Sequence, residues 1–311
     1  MESATRFKWK YVLLPLLIVG VAVVLGVWKP YALIQGLQRG GLYALIALPM
    51  ALILGIVGII NLAHGEFMML GAYFAYWLSV HTGIDPLVAM IPAFLAFFII
   101  GALTYLVTIK PVLKAPELNQ LLLTFGLAMV LTEFANLMWT SQSRKLPLRY
   151  VYSSASIGSL TFGTFGFTYL LGAVVVLIAL LWFLRYTRTG QAALAVGQNP
   201  RGAKLVGIDV NRTYLLIFSL SIAMVAAIGG LFLTGHSIFP GVGAPYTMKS
   251  FCLIAMAGVG NLPGILWMGL GLGTAEAFVS SFQGYGGWSD VVFFALLIAV
   301  IMAKSYRRHT A

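Results

Sequence analysis

Long apolar segments, separated by short polar or glycine-rich stretches, cover most of the 311-residue chain. A helix needs about 20 apolar residues to cross a bilayer, and short apolar segments beside glycine or proline are typical of half-helices. The pattern therefore predicts an all-α, polytopic membrane protein with one transmembrane domain over residues 1–311. We expect roughly ten transmembrane or half-membrane helices, near 11–28, 36–60, 66–80, 86–109, 119–139, 169–186, 213–235, 249–260, 265–283 and 289–303.

Polar residues interrupt one of these apolar stretches. The sequence from Gly55 to Tyr73 is GIVGIINLAHGEFMMLGAY, and it places Asn61, His64 and Glu66 among glycines. A polar group at membrane depth costs several kcal/mol unless it faces protein or water. We therefore expect this break to line a cavity or to mark a turn between packed helices. From the residues alone, polar side chains that brace the break are the simpler interpretation.

A second break resembles the first one. The sequence NLAHGEF follows the apolar segment 36–60, and HSIFPGVGAPY follows the segment 213–235; each break leads into a shorter apolar segment. The two copies lie five segments apart, so they would be inverted in the membrane, as in the inverted repeats of many transporters. Any glycine-rich membrane protein can show such breaks, and the sequence leaves both interpretations open.

A cytoplasmic loop is predicted at residues 187–212. An asparagine N-cap, a proline at the first helical position and a glycine stop delimit a helix from Pro200 to Val206. Such a short helix is not stable by itself, so it must pack against another surface. Its basic character favours docking to a partner protein, and an amphipathic helix lying on anionic lipid is the alternative. The residues of this element are Asn199, Pro200, Arg201, Gly202, Ala203, Lys204 and Gly207.

Composition and charge narrow the class further. Charged residues are 9% of the chain, far below the roughly 25% of soluble proteins, and the single cysteine, Cys252, excludes an intrachain disulfide. The net charge is +11, but the basic residues lie between apolar segments, which argues against a nucleic-acid partner. If the segments alternate from a cytoplasmic N-terminus, 13 of the 19 basic residues fall on the cytoplasmic side. This bias predicts that both termini are cytoplasmic.

Few residues carry candidate chemistry. The sequence has no H-E-x-x-H motif and no cluster with metal-ligand spacing, so we predict no metal, no cofactor and no catalytic residue. Acidic residues in membrane segments are candidates for function by default. Glu133 with Asn136 one turn away, and Glu276, are such candidates, although they could instead pair with helix caps.

Three stretches together resemble the membrane subunits of bacterial ABC importers for branched-chain amino acids. Urea and short-chain amide permeases of the same superfamily are similar in the first stretch. The stretches are GLYALIALPMALILGIVGIINLAHGEFMMLGAY, TRTGQAALAVGQNPRGAKLVGIDVNR and IAMAGVGNLPGILWMGLGLGTAE. The resemblance covers roughly residues 35–303.

This resemblance implies a permease that pairs with a second homologous permease subunit in a bacterial inner membrane. Two cytoplasmic ATPase subunits would bind the loops, and a periplasmic binding protein would deliver the substrate. The chain has no G-x-x-x-x-G-K-[ST] motif, so ATP hydrolysis would belong to other chains. The helix at 200–206 would couple to the ATPase. The substrate path or gate would include Asn61, His64, Glu66, Met69, Glu133 and Asn136.

Three other functions compete with an importer for a small apolar amino acid. A urea or short-chain amide permease is the nearest, because the sequence does not identify the substrate. An ion-coupled secondary transporter could use Glu66, Glu133 and Glu276, but it does not explain the capped basic helix. An intramembrane enzyme has no nucleophile–base or metal constellation to support it.

Overall fold

The computed structural model describes residues 28–158, 160–282, 286–288, 291, 293–299 and 302. The predicted segment 11–28 lies outside the described residues except for Trp28, and the segment 289–303 is described in part, with residues 293–299 helical. The helices in chain order are α1 (Pro30–Leu52), α2 (His64–Thr82), α3 (Pro86–Thr104), α4 (Glu117–Trp139), α5 (Phe167–Tyr186), α6 (Arg188–Gln198), α7 (Pro200–Leu205), α8 (Val210–Gly235), α9 (Ala244–Ala257) and α10 (Leu262–Ser280).

Shorter elements complete the chain. Two π-helical turns follow α1 and α3, and one further helical turn continues α3. These are Ile53–Val57, Tyr105–Ile109 and Lys110–Val112. A 3₁₀ turn, Arg149–Tyr152, precedes an antiparallel hairpin of β1 (Ser154–Ile157) and β2 (Leu160–Gly163), in which Ser154 faces Gly163. A second 3₁₀ turn spans Gly286–Trp288.

The all-α prediction is confirmed for the described membrane helices. It did not include the hairpin of β1 and β2. The number of spans is not confirmed. Within the described residues, six helical stretches are long and apolar enough to cross a membrane. They are Pro30–Val57, Pro86–Val112, Glu117–Trp139, Phe167–Tyr186, Val210–Gly235 and Leu262–Ser280. The remaining predicted segments with described structure, 66–80 and 249–260, correspond to α2 and α9, and α9 has only 14 residues.

Local sequence explains where the helices begin and end. The side chain of Asp85 accepts from the Leu87 amide at 2.8 Å and caps α3, and Asp209 caps α8 through the Arg212 amide at 3.1 Å. Such caps satisfy amides that have no partner within the helix. Gly83 ends α2 with φ at 72°, a conformation that is strained for residues with a Cβ.

Two compact units divide the chain. The first comprises Met1–Leu45, Tyr152–Leu177 and Cys252–Ala311, and the second comprises Ile46–Val151 and Ile178–Phe251. In the first unit, α1 and α10 approach so closely that a Cβ on Gly40 would lie 2.7 Å from the Leu270 Cα. The Tyr43 hydroxyl donates to the buried Glu276 carboxylate at 2.8 Å, and Arg39 lies 3.8 Å from that carboxylate. Glu276 therefore has a structural partner on α1.

In the second unit, α8 packs against α2 and α3. Small residues allow this contact: a Cβ on Gly71 would lie 2.5 Å from the Ala226 Cα, and one on Gly101 would lie 3.0 Å from the Ser219 Cα. Close backbone contact at glycine is how membrane helices gain packing energy, because lipid already solvates apolar side chains. Ser221 on α8 also donates to the Pro49 carbonyl at 2.6 Å. Together, these contacts make α8 a buried central helix.

Candidate functional site

The first chain break lies between α1 and α2. Gly58 ends the π-helical turn with φ at 79°, and the Asn61 side chain then accepts from the Ala63 amide at 3.1 Å just before α2 begins. The helix was predicted to continue to Ile60, and this is corrected: the left-handed conformation at Gly58 ends it at Val57, three residues earlier.

The chain then turns back along α1. The Nε2 atom of His64 lies 2.9 Å from the Ile46 carbonyl oxygen. Since a helix rises about 1.5 Å per residue, Ile46 lies about 16 Å back from Val57 along the helix axis. The helix α2 therefore starts well inside the length of α1 and not at its end.

The second break follows the end of α8. Ser221 of α8 contacts Pro49 of α1, and α8 continues from there for about 21 Å to Gly235. The following residues 236–243 bring the chain back, because Gly243 meets Gly65, the second residue of α2. The helix α2 thus begins beside the middle of α1, as in discontinuous membrane helices. The helix α9 begins beside the last turn of α8, where the Tyr246 ring lies 5.1 Å from the Phe232 ring.

The two breaks touch each other. The Gly65 amide donates to the Thr247 hydroxyl at 2.8 Å, and the backbones at Gly65 and Gly243 are so close that a Cβ on either residue would overlap the other's carbonyl oxygen. The Gly241 amide also donates to the Met69 sulfur at 3.2 Å. Residues about 180 positions apart therefore form one junction.

The polar side chains of the first break lie at this junction and are almost fully buried. Asn61 and His64 are 0% exposed and Glu66 is 2% exposed. The Thr132 hydroxyl on α4 donates a hydrogen bond to the Glu66 carboxyl. Each side chain nevertheless keeps one buried atom without a partner: Asn61 Nδ2, His64 Nδ1 and Glu66 Oε2. A buried polar atom without a partner is uncommon and costs about 1–3 kcal/mol, so the site is not fully satisfied in this conformation.

The predicted site residues of α4 do not join this cluster. Glu133 is exposed, and its carboxylate accepts from the Asn136 amide at 3.4 Å on the same helix. The neighbouring residue, Thr132, is the one that reaches Glu66. Consecutive helical residues differ by about 100° around the axis, which is why Glu133 points away from the junction.

The loop element forms a capped helix much as the spacing predicts. The Asn199 side chain accepts from the Gly202 amide at 2.9 Å, Pro200 is the first helical residue and Gly207 has φ at 86°. The helix ends at Leu205, one residue before the predicted end, with Val206 as its C-cap. Residues 188–198 form a separate helix capped by Thr187, and not a continuation of the preceding one.

Only one side of this helix is buried. Ala203 is 4% exposed, whereas Leu205 is 89% and Val206 is 76% exposed. Arg201 and Lys204 are also exposed. Two large apolar residues and two cations of this element are therefore left uncovered by the described part of the chain.

Comparison with known proteins identifies the family of this chain. A family model described as "Branched-chain amino acid transport system / permease component" matches residues 32–301, which include both breaks and the loop helix. The chain belongs to this family. No solved structure matches the chain.

Several curated permeases are similar to this chain. The high-affinity branched-chain amino acid transport system permease protein LivH of Salmonella typhimurium is 31% identical over 281 residues, which cover 86% of this chain and 91% of that protein. LivH of Escherichia coli has the same identity and coverage. The corresponding protein BraD of Pseudomonas aeruginosa is 30% identical over 285 residues, or 88% of this chain and 92% of that protein.

The structure of the permease adds residues that the sequence analysis missed. Thr132, Gly243 and Thr247 complete the junction, and the Thr124 hydroxyl of α4 donates to the Ile60 carbonyl in the first break at 3.0 Å. In the sequence, only the glycine-rich second break pointed to any of these residues. The threonines could not be singled out, because isolated threonines are common in apolar helices. Within the described residues, no group of three His, Cys, Asp or Glu side chains could hold a metal ion.

Proposed function

We propose that the chain is a permease subunit of an ABC importer for branched-chain or other small apolar amino acids. The observation that carries this proposal is the junction of the two chain breaks, in a chain whose relatives are named as branched-chain amino acid permeases. Discontinuous helices that meet within a membrane domain place backbone amides and polar side chains where a substrate can be bound.

The substrate path runs beside this junction. Asn61, His64 and Glu66 supply polar groups there, and Met69 supplies an adaptable apolar surface. Their unpaired buried atoms support a path that is closed in this conformation and admits water or substrate in another. Glu133 is exposed and Asn136 is half-buried on α4, where a carboxylate in lipid would be costly. This part of α4 lines the path or contacts the second permease subunit.

Coupling to ATP hydrolysis uses the helix α7 and its flanking residues. The cap on Asn199 and the left-handed Gly207 fix the two ends, and Ala203 anchors the helix to the permease. Arg201, Lys204 and the exposed apolar residues at its end face an ATPase subunit. A periplasmic binding protein delivers the substrate on the opposite side of a bacterial inner membrane, and both termini are cytoplasmic.

Reconstitution of the importer in proteoliposomes tests the proposal. The complex should import L-leucine only with ATP and the loaded binding protein, and the binding protein should stimulate ATP hydrolysis. Replacement of Gly202 and Ala203 by leucine should abolish this stimulation while the complex still assembles. The matched control Leu194→Ala, in the neighbouring helix α6, should leave stimulation intact.

Other outcomes point to the competing functions. Import that needs an ion gradient and not ATP would indicate a secondary transporter. Import of urea or short-chain amides in place of leucine would indicate the other branch of permeases. Wild-type stimulation in the Gly202 and Ala203 double variant would show that α7 does not couple to the ATPase.

A further inference from the structure

We propose that Arg144, Trp77 and Tyr73 form a binding subsite for a carboxylate at the C-terminal end of α2, and that an apolar cavity beside them holds the side chain of the same amino acid. The inference rests on the proposed function and adds the residues that recognise the substrate. Under the proposed topology, this end of α2 faces the periplasm, where the substrate enters.

One face of α2 carries a row of buried polar groups. Tyr73 and Trp77 follow Glu66 by 7 and 11 residues, which places all three on the same side of the helix. Glu66 Oε2, the Tyr73 hydroxyl and Trp77 Nε1 are each buried without a hydrogen-bond partner. One such atom could be an isolated defect, but three on one helix face indicate a surface that is hydrated or occupied in another conformation.

Arg144 places a cation against this face. Its guanidinium carbon lies 5.1 Å from the centre of the Trp77 ring and 5.8 Å from that of Tyr76. One terminal nitrogen donates to the Trp139 carbonyl at 2.8 Å, and its backbone exchanges two hydrogen bonds of 2.8 Å with Ile238 of the second break. The guanidinium is therefore held in place by groups that do not neutralise its charge.

The unused groups at this point are hydrogen-bond donors. Arg144 Nε is buried without a partner, as is Trp77 Nε1, and both atoms can only donate. The Tyr73 ring stacks on Trp139 with 4.3 Å between centroids, which keeps its hydroxyl near the same cluster. In the described residues, no carboxylate pairs with Arg144. A carboxylate is the ligand that matches a cation with neighbouring unused donors.

An apolar cavity adjoins the cluster. Its volume is about 510 Å³, and its lining includes Phe74, Trp77, His81, Phe97, Phe134 and Trp139, of which Phe134 is 48% exposed. Pockets of about 300–1,000 Å³ are typical of small-molecule sites. Trp77 and Trp139 belong both to the cavity wall and to the donor cluster. The combination fits an amphipathic anion, with its carboxylate on Arg144 and a branched aliphatic side chain between the aromatic rings.

A free amino acid fits better than a membrane lipid. The Arg144 Nε and Trp77 Nε1 atoms are buried, whereas a lipid headgroup is bound by cations exposed at the membrane surface. The aromatic stack of Tyr73 on Trp139 lies along the same face as Glu66, so a ligand released from the subsite has the junction of the two breaks next on its path.

Photo-crosslinking of the assembled importer in nanodiscs tests this subsite. The probe is photo-leucine, the diazirine analogue of leucine, and peptides from α2 and α4 are analysed by mass spectrometry. We expect labelling at the cavity residues, with competition by L-leucine and by 4-methylpentanoate, which keeps the carboxylate, but not by L-leucinamide, which lacks it. Arg144→Gln should weaken competition by L-leucine about 10-fold or more, the range expected for a lost charged hydrogen bond.

Conservative variants separate binding from a structural role. Arg144→Lys should restore part of the affinity, and Trp77→Phe should weaken L-leucine competition while the aromatic wall is kept. Arg149→Gln, a basic residue in the same loop, should behave as the wild type. Equal competition by L-leucinamide and 4-methylpentanoate would overturn the proposal, as would labelling elsewhere in a complex that imports leucine. Co-purified anionic lipid that is lost from Arg144→Gln while leucine import is unchanged would also overturn it. An importer that does not take up leucine at all contradicts instead the proposed function.

Discussion

The contact between the two chain breaks can be tested by adding one methyl group. In Gly65→Ala, the new Cβ would lie 2.6 Å from the Gly243 carbonyl carbon and 2.6 Å from the Thr247 hydroxyl, and closer still to the Gly243 carbonyl oxygen. Ordinary carbon–oxygen contacts are about 3.3 Å or longer. The two backbones must therefore separate, because the colliding atoms belong to backbone that cannot change rotamer.

The expected loss of stability is the sum of two destabilising terms and one stabilising term. Overpacking of a well-packed site costs about 1–3 kcal/mol. Separation of the backbones also weakens the hydrogen bond from the Gly65 amide to Thr247, and a buried amide without a partner costs about 1–3 kcal/mol. Alanine gains about 1 kcal/mol of helix propensity over glycine. The net destabilisation is about 1–5 kcal/mol, a large share of the roughly 5–15 kcal/mol of a folded protein.

Thermal unfolding of the full-length chain in one detergent measures this effect. Gly65→Ala and Gly243→Ala should both unfold several degrees below the wild type, because each residue faces the other's carbonyl group. Gly126→Ala is the matched control, since it lies within α4 with no atom within 4 Å of a new Cβ. It should unfold at or slightly above the wild-type temperature. Wild-type stability in Gly65→Ala would refute the contact between the breaks.

Three further predictions concern other parts of the chain. Tyr43→Phe should lower the unfolding temperature by a few degrees, because the buried Glu276 carboxylate loses a donor worth about 1–3 kcal/mol; the same change at the exposed Tyr31 should have little effect. Asn199→Ala should weaken binding-protein stimulation of the ATPase, because α7 loses a cap worth about 1 kcal/mol, whereas Ala at the exposed Asn211 should leave it unchanged. Single cysteines at positions 3 and 310, in a chain with its native cysteine replaced, should resist an impermeant reagent added from the periplasmic side. Labelling of either cysteine would contradict the predicted cytoplasmic location of the termini.

Local sequence determined much of this protein. Membrane helices follow from apolar length alone, because lipid leaves a spanning chain no other way to satisfy its backbone. The caps at Asn199 and Asp209 and the stop at Gly207 depend on residues within four positions of each other. Local contacts of this kind can be predicted from spacing. The break at residues 58–63 could likewise be located, although its first residue could not.

Tertiary structure alone decided how these pieces form a site. The partners of Gly65 and Met69 lie 182 and 172 residues away in the chain, and no local pattern specifies such pairs. The same holds for Arg144, which resembled an ordinary loop cation until its backbone paired with Ile238 and its side chain met Trp77. Glu133 shows the opposite case: a membrane carboxylate that the sequence favoured lies on an exposed face, because one helical position separates it from the threonine that reaches Glu66. The sequence alone determines where helices can form and break, whereas only packing decides which breaks meet and which polar side chains are buried with them.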